Sequence, residues 1–243
     1  MCLIVVALRA APRYPLIVAA NRDEQHTRPT AGASWWAESP RVLGGRDLQA
    51  GGTWLGLERA GRFAAVTNIR EPGRPLASTS RGTLVADFLT GSGSAAEHAA
   101  RAARDGPAFG PFNLFVYDGR ELWFASNRAA AVRLGPGLHS FSNAPAGVDW
   151  PKTASARARV EGVLADPSPI EPLFELLAER DDSGSAEQRY QRTHFVVGPV
   201  YGTRCSTVVL FDAAGRATFA ERSFDAAGRR ANEMRETFEI ERS

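Results

Sequence analysis

Met1-Cys2-Leu3-Ile4-Val5-Val6-Ala7-Leu8 and Pro15-Leu16-Ile17-Val18-Ala19-Ala20-Asn21 are two apolar runs of strand length, joined by a link, Arg9 to Tyr14, that contains Pro12. The simplest reading is a β-hairpin. Its near-continuous apolarity implies strands covered on both faces. The first run meets Arg9 after eight residues, without a basic leading segment or a small-residue cleavage site, so it does not read as a secretory signal. It is too short to span a membrane, and no later run approaches the length required.

Outward from the hairpin, strands are expected at 53–58, 62–68, 112–118 and 121–126, the last two flanking Asp118-Gly119, a strong hairpin turn. The strand 62–68 ends in Asn68 and runs towards a turn at Glu71-Pro72-Gly73. Three more strands are expected at 194–198, 205–211 and 216–223, with Ala213-Ala214-Gly215 turning between the last two. Helices are expected in two places. Leu84, Val85, Phe88 and Leu89 stand at helical spacing within 81–104, ahead of an alanine-rich stretch set off by Gly91-Ser92-Gly93. Residues 151–180 hold two more helices, separated by Asp166-Pro167-Ser168-Pro169. Blocks of strands alternating with helical pairs suit an α+β fold, sheets with helices on their outer faces. With no internal repeat or linker, the 243 residues read as one domain, 1–243.

Composition is that of an ordinary globular protein: 44% hydrophobic, 23% charged, net charge +2. The basic residues are mostly arginine, scattered among acids rather than gathered in a stripe, which argues against nucleic acid as a partner. Two cysteines, Cys2 and Cys205, do not make a disulfide framework, so a reducing cytoplasm is the expected location. The four histidines are isolated, and no paired-cysteine, paired-histidine or phosphate-loop motif is present. No metal or cofactor is therefore expected.

Chemistry concentrates at strand ends. Removal of Met1 would leave Cys2 with a thiol and a free α-amine on one residue. With unperturbed pKa values of about 8.5 and about 7.7–8.0, the amine can take the thiol's proton directly or through a water. On position alone Cys2 is equally a small apolar residue opening a buried strand. Asn21-Arg22-Asp23-Glu24 closes the second run, where charges must leave the core or be paired. In a hairpin, Asn21 and Arg22 return to the end at which Cys2 stands. There a guanidinium favours a thiolate and a carboxylate orients an ammonium. Asn68 and Asn143, the latter in Ser140-Phe141-Ser142-Asn143-Ala144-Pro145 before Asp149-Trp150, are turn residues or amide donors to an oxyanion. Arg204, in Tyr201-Gly202-Thr203-Arg204-Cys205-Ser206-Thr207, can neutralise a substrate anion or brace the site, and Cys205 reads as a core thiol.

The Met-Cys start, Asn-Arg-Asp-Glu at 21–24, Gly-Gly-Thr-Trp-Leu-Gly at 51–56 leading to Ala-Ala-Val-Thr-Asn at 64–68, and Tyr-Gly-Thr-Arg-Cys-Ser-Thr at 201–207 together resemble the NRDE, or transport and Golgi organisation protein 2-like, family. Phe112-Asn113-Leu114 and Ser140-Phe141-Ser142-Asn143 also fit, so the resemblance runs end to end. It implies an N-terminal-nucleophile hydrolase fold, a four-layer αββα sandwich of mostly antiparallel sheets. The functional relatives it implies are conjugated bile acid hydrolases and penicillin V acylases. Residue by residue it assigns Cys2 as nucleophile, Arg22 and Asp23 as its companions, and Asn68 and Asn143 as oxyanion and site asparagines. In those enzymes the arginine and aspartate are separated by two residues. Here they are adjacent, and adjacent strand residues point to opposite faces. Asn21, Glu24 and Arg204 are assigned to the substrate, Arg204 standing in for a later arginine of the hydrolases.

The implied partner is a small-molecule acyl substrate, a linear amide or thioester cleaved through a Cys2 thioester. The alternative is a carrier on the same fold, holding acyl-coenzyme A, a lipid or haem, with Trp35, Trp36 and Trp54 lining an apolar pocket or packing the core.

Overall fold

The two opening runs do form a hairpin. β1 (Cys2–Leu8) pairs antiparallel with β2 (Leu16–Gln25), from Cys2 opposite Arg22 to Leu8 opposite Leu16. The computed structural model describes residues 2–71, 73 and 77–241. Met1, and Pro72 of the expected 71–73 turn, lie outside the described residues. The described residues divide into two compact units, one within 2–27, 136–142 and 148–238, the other within 28–135, 143–147 and 239–241.

In the first unit β1 and β2 are joined by β10 (Gly137–Phe141), β11 (Tyr201–Phe211), β12 (Arg216–Phe224) and β13 (Arg230–Glu239) in the order β10-β1-β2-β11-β12-β13. Helices α3 (Pro151–Val163), α4 (Ile170–Leu177) and α5 (Ala186–Arg192) belong to the same unit. The pleat sorts the core. Leu3, Val5 and Ala7 of β1, Ile17 and Ala19 of β2, and Val208 and Leu210 of β11 pack with Ala156 and Val160 of α3 and Leu173, Phe174 and Leu177 of α4. Residues of the other parity, such as Ile4, Val6 and Val18, are also buried, as the unbroken apolar runs require. Each fully buried side chain of this size contributes about 1.5–3 kcal/mol, so the cluster fixes β2 firmly between its neighbours.

The second unit holds β3 (Thr30–Trp35), β4 (Val42–Asp47), β5 (Leu55–Glu58), β6 (Arg62–Asn68), β7 (Phe112–Tyr117), β8 (Leu122–Ser126) and β9 (Val132–Leu134), ordered in sequence across one sheet. Helices α1 (Gly82–Thr90) and α2 (Ala95–Arg104) pack Leu84, Val85, Phe88, Leu89, Ala95, Ala99 and Ala102 with Ala64 and Val66 of β6 and Leu114 and Val116 of β7. The α+β class with antiparallel sheets and the two helical pairs are as the sequence indicates. Asp118-Gly119 turns β7 into β8, and Gly119 sits at φ 88°, where glycine is favoured.

Several elements differ from the sequence reading. Asn21-Arg22-Asp23-Glu24 does not close β2; the strand runs on to Gln25 because β11 pairs with it through Tyr201 opposite Gln25. The run 194–198 is no strand: Phe195 N donates to Glu179 O and Val196 N to the Thr203 hydroxyl. These bonds satisfy its backbone one group at a time instead of in a ladder. Strand 53–58 starts at Leu55, since the Thr53 hydroxyl donates to Leu55 O and Thr53 N donates to Gly82 O. Polar β3, β13 and α5 carry no apolar run to announce them.

Candidate active site

Cys2 is half-buried at the first position of β1, and its carbonyl accepts the Ser142 hydroxyl at 2.6 Å. Arg22 stands opposite Cys2 on one side and opposite Cys205 on the other, because β2 runs between β1 and β11. Its guanidinium is buried and lies 3.8 Å from the Glu24 carboxylate, two residues along the same face. The two thiols differ. Cys205 is fully enclosed, and burial, reinforced by the Glu221 charge, pushes its thiol well up, which makes it an inert core thiol.

Asn21 and Asp23 have the opposite parity from Arg22, the side on which Ile17 and Ala19 meet α3 and α4. Asn21 is a clamp. Its amide donates to Leu177 O and His194 O, both at 2.8 Å, and its oxygen accepts the Ser206 hydroxyl at 2.6 Å. Asp23 accepts the Thr203 hydroxyl at 2.6 Å, and its carbonyl accepts Tyr201 Oη at 2.9 Å. Burial pushes the Asp23 carboxyl up, opposed by the charge of Lys152, by the Thr203 hydrogen bond and by Arg22. Arg204 falls at the register shift between Thr203 and Cys205, where its guanidinium donates to Gln25 O and His26 O.

The residue that the sequence reading missed is Lys152. It is the second residue of α3, is 1% exposed, and lies with its ammonium 5.3 Å from the ring centres of both Trp150 and Tyr190. Its carbonyl meets His194 Nε2 at 3.2 Å, and His194 Nδ1 meets Leu176 O, so the ring braces α3 against the end of α4. Burial pulls its amine down from 10.5 to about 8, and the charges of Asp23 and Cys2 oppose that fall. A signal was available in the sequence: Lys152 is the only lysine, against twenty-eight arginines. Asp149, which precedes Trp150, holds the start of α3, accepting from the Thr153 hydroxyl and from Arg157.

The first unit therefore gathers Cys2, Asn21, Arg22, Asp23, Glu24 and Arg204 around adjacent strands β1, β2 and β11. Asn68 and Asn143 belong to the second unit. There Asn68 ends β6 and is exposed, and the buried Asn143 donates its amide to Asn68 O at 2.6 Å while its own carbonyl accepts Arg70 N. Asn113 on β7 donates to Ala144 O, fixing the same loop. The Gly51–Gly56 motif is architectural: it turns the chain beneath the start of α1, where Thr53 N bonds Gly82 O.

Among solved structures the chain is similar to a Caenorhabditis elegans orthologue of N-acylethanolamine-hydrolyzing acid amidase, with TM-score 0.52, 13% identity, and coverage of 86% of this chain and 92% of that one. It is similar also to a variant conjugated bile acid hydrolase from Clostridium perfringens, with TM-score 0.55, 9% identity, and coverage of 98% and 92%. This likeness shows that the chain shares an α+β fold of antiparallel sheets with these two structures. The family model for Transport and Golgi organisation 2 matches residues 1–226, and the chain belongs to that family. Its relatives include the Transport and Golgi organization protein 2 homologs of Bos taurus and Homo sapiens, each 32% identical over 256 residues, covering 92% of this chain and 93% of the relative. The Drosophila melanogaster protein is 32% identical over 158 residues, 59% of this chain and 55% of the relative. Among the described residues no helix is long and apolar enough to cross a membrane.

Proposed function

We propose that the protein is an N-terminal cysteine hydrolase that cleaves a linear amide or thioester through a thioester on Cys2. The observation that carries this reading is the half-buried Cys2 at the first position of β1, opposite the buried Arg22, while the second thiol is sealed in the core. The named activities of the structural neighbours, an amidase and a bile acid hydrolase, support amide cleavage as the class of reaction.

In this reading loss of Met1 frees the Cys2 α-amine, which takes the thiol proton as sulfur attacks the carbonyl carbon. A sulfur–carbon bond forms and the carbonyl electron pair moves to oxygen, an oxyanion that hydrogen-bond donors stabilise. Collapse breaks the bond to the amine or thiol leaving group, which takes up the proton held by the α-amine. Water then hydrolyses the thioester and returns Cys2 to the thiol. Asp23 holds the amine, Arg22 favours the thiolate, and Glu24 and Arg204 meet the substrate's polar groups. A reducing cytoplasm keeps Cys2 competent.

The test is intact mass spectrometry of the protein, alone and with a panel of acyl amides, acyl thioesters and activated acyl esters. The expected result is a chain lacking Met1 that gains one acyl group, and a Cys2→Ala variant that gains none. Retention of Met1, or an unmodified chain that binds acyl-coenzyme A or haem and releases it unaltered, would overturn the reading in favour of a carrier.

A further inference from the structure

We propose that the groove between the β1–β2 turn, the α3–α4 link and one end of the β12–β13 ribbon binds a phosphate-monoester dianion. The proposal is independent of the hydrolase reading. The groove lies in the first unit, beyond the Leu8–Leu16 end of the β1–β2 hairpin, whereas Cys2 stands at the other end.

Its walls come from segments far apart in the chain and are tied together by hydrogen bonds. Ala213 N, in the β11–β12 turn, donates to Arg13 O at 2.9 Å, and the Tyr14 hydroxyl donates to Pro167 O at 2.8 Å. The buried Tyr14, Ile170 and Leu210 supply the apolar part of the lining. The Thr218 and Thr237 hydroxyls lie 3.1 Å apart across β12 and β13. Arg216 and Arg235 each precede one of these threonines by two residues on its strand, so all four side chains share one face of the ribbon. Arg13 lines the same groove from the hairpin turn.

Charge decides what fits. The guanidiniums of Arg13, Arg216 and Arg235 line the groove against a single carboxylate, that of Asp212. Asp212 is already engaged, accepting both the backbone N–H and the guanidinium of Arg216. Arg13 lies 5.7 Å from the centre of the Tyr14 ring, and among the described residues neither Arg13 nor Arg235 makes an ion pair. Arg222, also on β12, shows the contrast: it is held by Glu171 and Glu233. Three guanidiniums against one carboxylate leave two positive charges, which match the charge of about −1.5 to −2 on a phosphate monoester at neutral pH. The donors match as well. Phosphate oxygens accept, guanidiniums only donate, and the threonine that accepts from its neighbour keeps its own O–H to give.

Size limits the occupant further. The groove encloses about 240 Å³, the share of about eight water molecules. That is below the about 300–1,000 Å³ of pockets that enclose a whole ligand, so it takes the phosphate group and leaves the remainder of the ester in solvent.

The test is calorimetric titration of the full chain with methyl phosphate, a probe small enough to report the groove alone. One saturable site is expected at pH 7.5. Arg13 and Arg235 are exposed, so their replacement leaves the packing intact. Arg13→Gln and Arg235→Gln should each weaken binding about tenfold and together abolish it, while Arg189→Gln, an exposed arginine of α5 outside the groove, changes nothing. No side chain lining the groove titrates between pH 5 and 7.5, but the ester takes up a proton with a pKa of about 6, so binding should be about tenfold weaker at pH 5. Phosphatidylcholine vesicles with and without a lipid bearing a phosphate-monoester headgroup separate the two sources of such a group. Retention on the doped vesicles that the double variant loses supports the site and identifies a lipid headgroup; methyl phosphate binding without retention supports it and identifies a soluble ester. Binding of neither probe would overturn the proposal. So would an equal loss in Arg189→Gln, in favour of general surface charge, or an affinity that does not fall at pH 5, since the dianion would then not be what is recognised.

Discussion

Replacing Lys152 by methionine should stabilise the protein, and the gain should vanish in alkali. The amine titrates at about 8 in the folded chain against 10.5 when unperturbed. At 1.36 kcal/mol for each pH unit, holding the ammonium in its buried position costs about 3 kcal/mol. Below pH 8 both the folded and unfolded chains carry the proton, so the whole cost is present. Between pH 8 and 10.5 the unfolded chain binds the proton and the folded chain does not, so wild-type stability rises with pH through that window. Methionine keeps the length of the side chain, removes the charge and sets a sulfur among the rings of Trp150 and Tyr190. Loss of the lysine leaves Asp23 with one fewer opposing cation, but burial already pushes that carboxyl towards its neutral form, which limits the penalty. Urea unfolding of the two proteins at pH 6.5, 8, 9.5 and 10.5 isolates this group, because every other titration is common to both. The expected difference is about 3 kcal/mol in favour of Lys152→Met at pH 6.5, falling to near zero at pH 10.5. A wild type that is the more stable at pH 6.5, or a difference that does not change with pH, would refute the reasoning.

Two further outcomes follow from the same geometry. Asp23→Asn removes a charge that raises the Lys152 amine, so the titration of the single lysine, followed by NMR of carbon-13 lysine, should move to lower pH than in the wild type; a midpoint that stays or rises would contradict the electrostatic coupling. Gly52→Ala should lower the thermal midpoint, because Gly52 sits at φ +75° and an added Cβ would stand 2.4 Å from the Gly82 carbonyl carbon. The backbone alone costs about 1–2 kcal/mol there, and an unchanged melting temperature would show that the 51–56 turn relaxes freely.

Local pattern carried much of the fold. The apolar runs at 2–8 and 15–21 specify β1 and β2 whatever surrounds them, because only a covered strand tolerates so continuous an apolar stretch. Asp118-Gly119 specifies its own hairpin, and the spacing of Leu84, Val85, Phe88 and Leu89 specifies α1. These are statements about neighbours within a few residues, and composition and periodicity suffice for them. Elements that depend on a distant partner were not legible. β13 is a mostly exposed, charge-rich strand with no apolar run to mark it, held because β12 offers it a free edge. α5 is short, polar and capped by Ser185 and Gln188 rather than driven by an apolar face. The extension of β2 through Asn21-Arg22-Asp23-Glu24 exists because β11, some 180 residues later, supplies the ladder.

The same division holds for the candidate site. The sequence by itself determined the cysteine at position 2, the polar tetrad that returns to it and the family to which both belong. Tertiary structure alone decided what each member of the tetrad does: Asn21 clamps the ends of α4 and the following loop, Asp23 bonds Thr203, and Arg22 lies between two cysteines. It also brought Lys152 from the start of α3 into the electrostatic reach of Cys2. Sequence fixes which groups a chain can present and which short segments are strands or helices. Burial, and with it the protonation behaviour of an amine or a carboxyl, depends on everything that packs around the group, and that is settled only when the chain has folded.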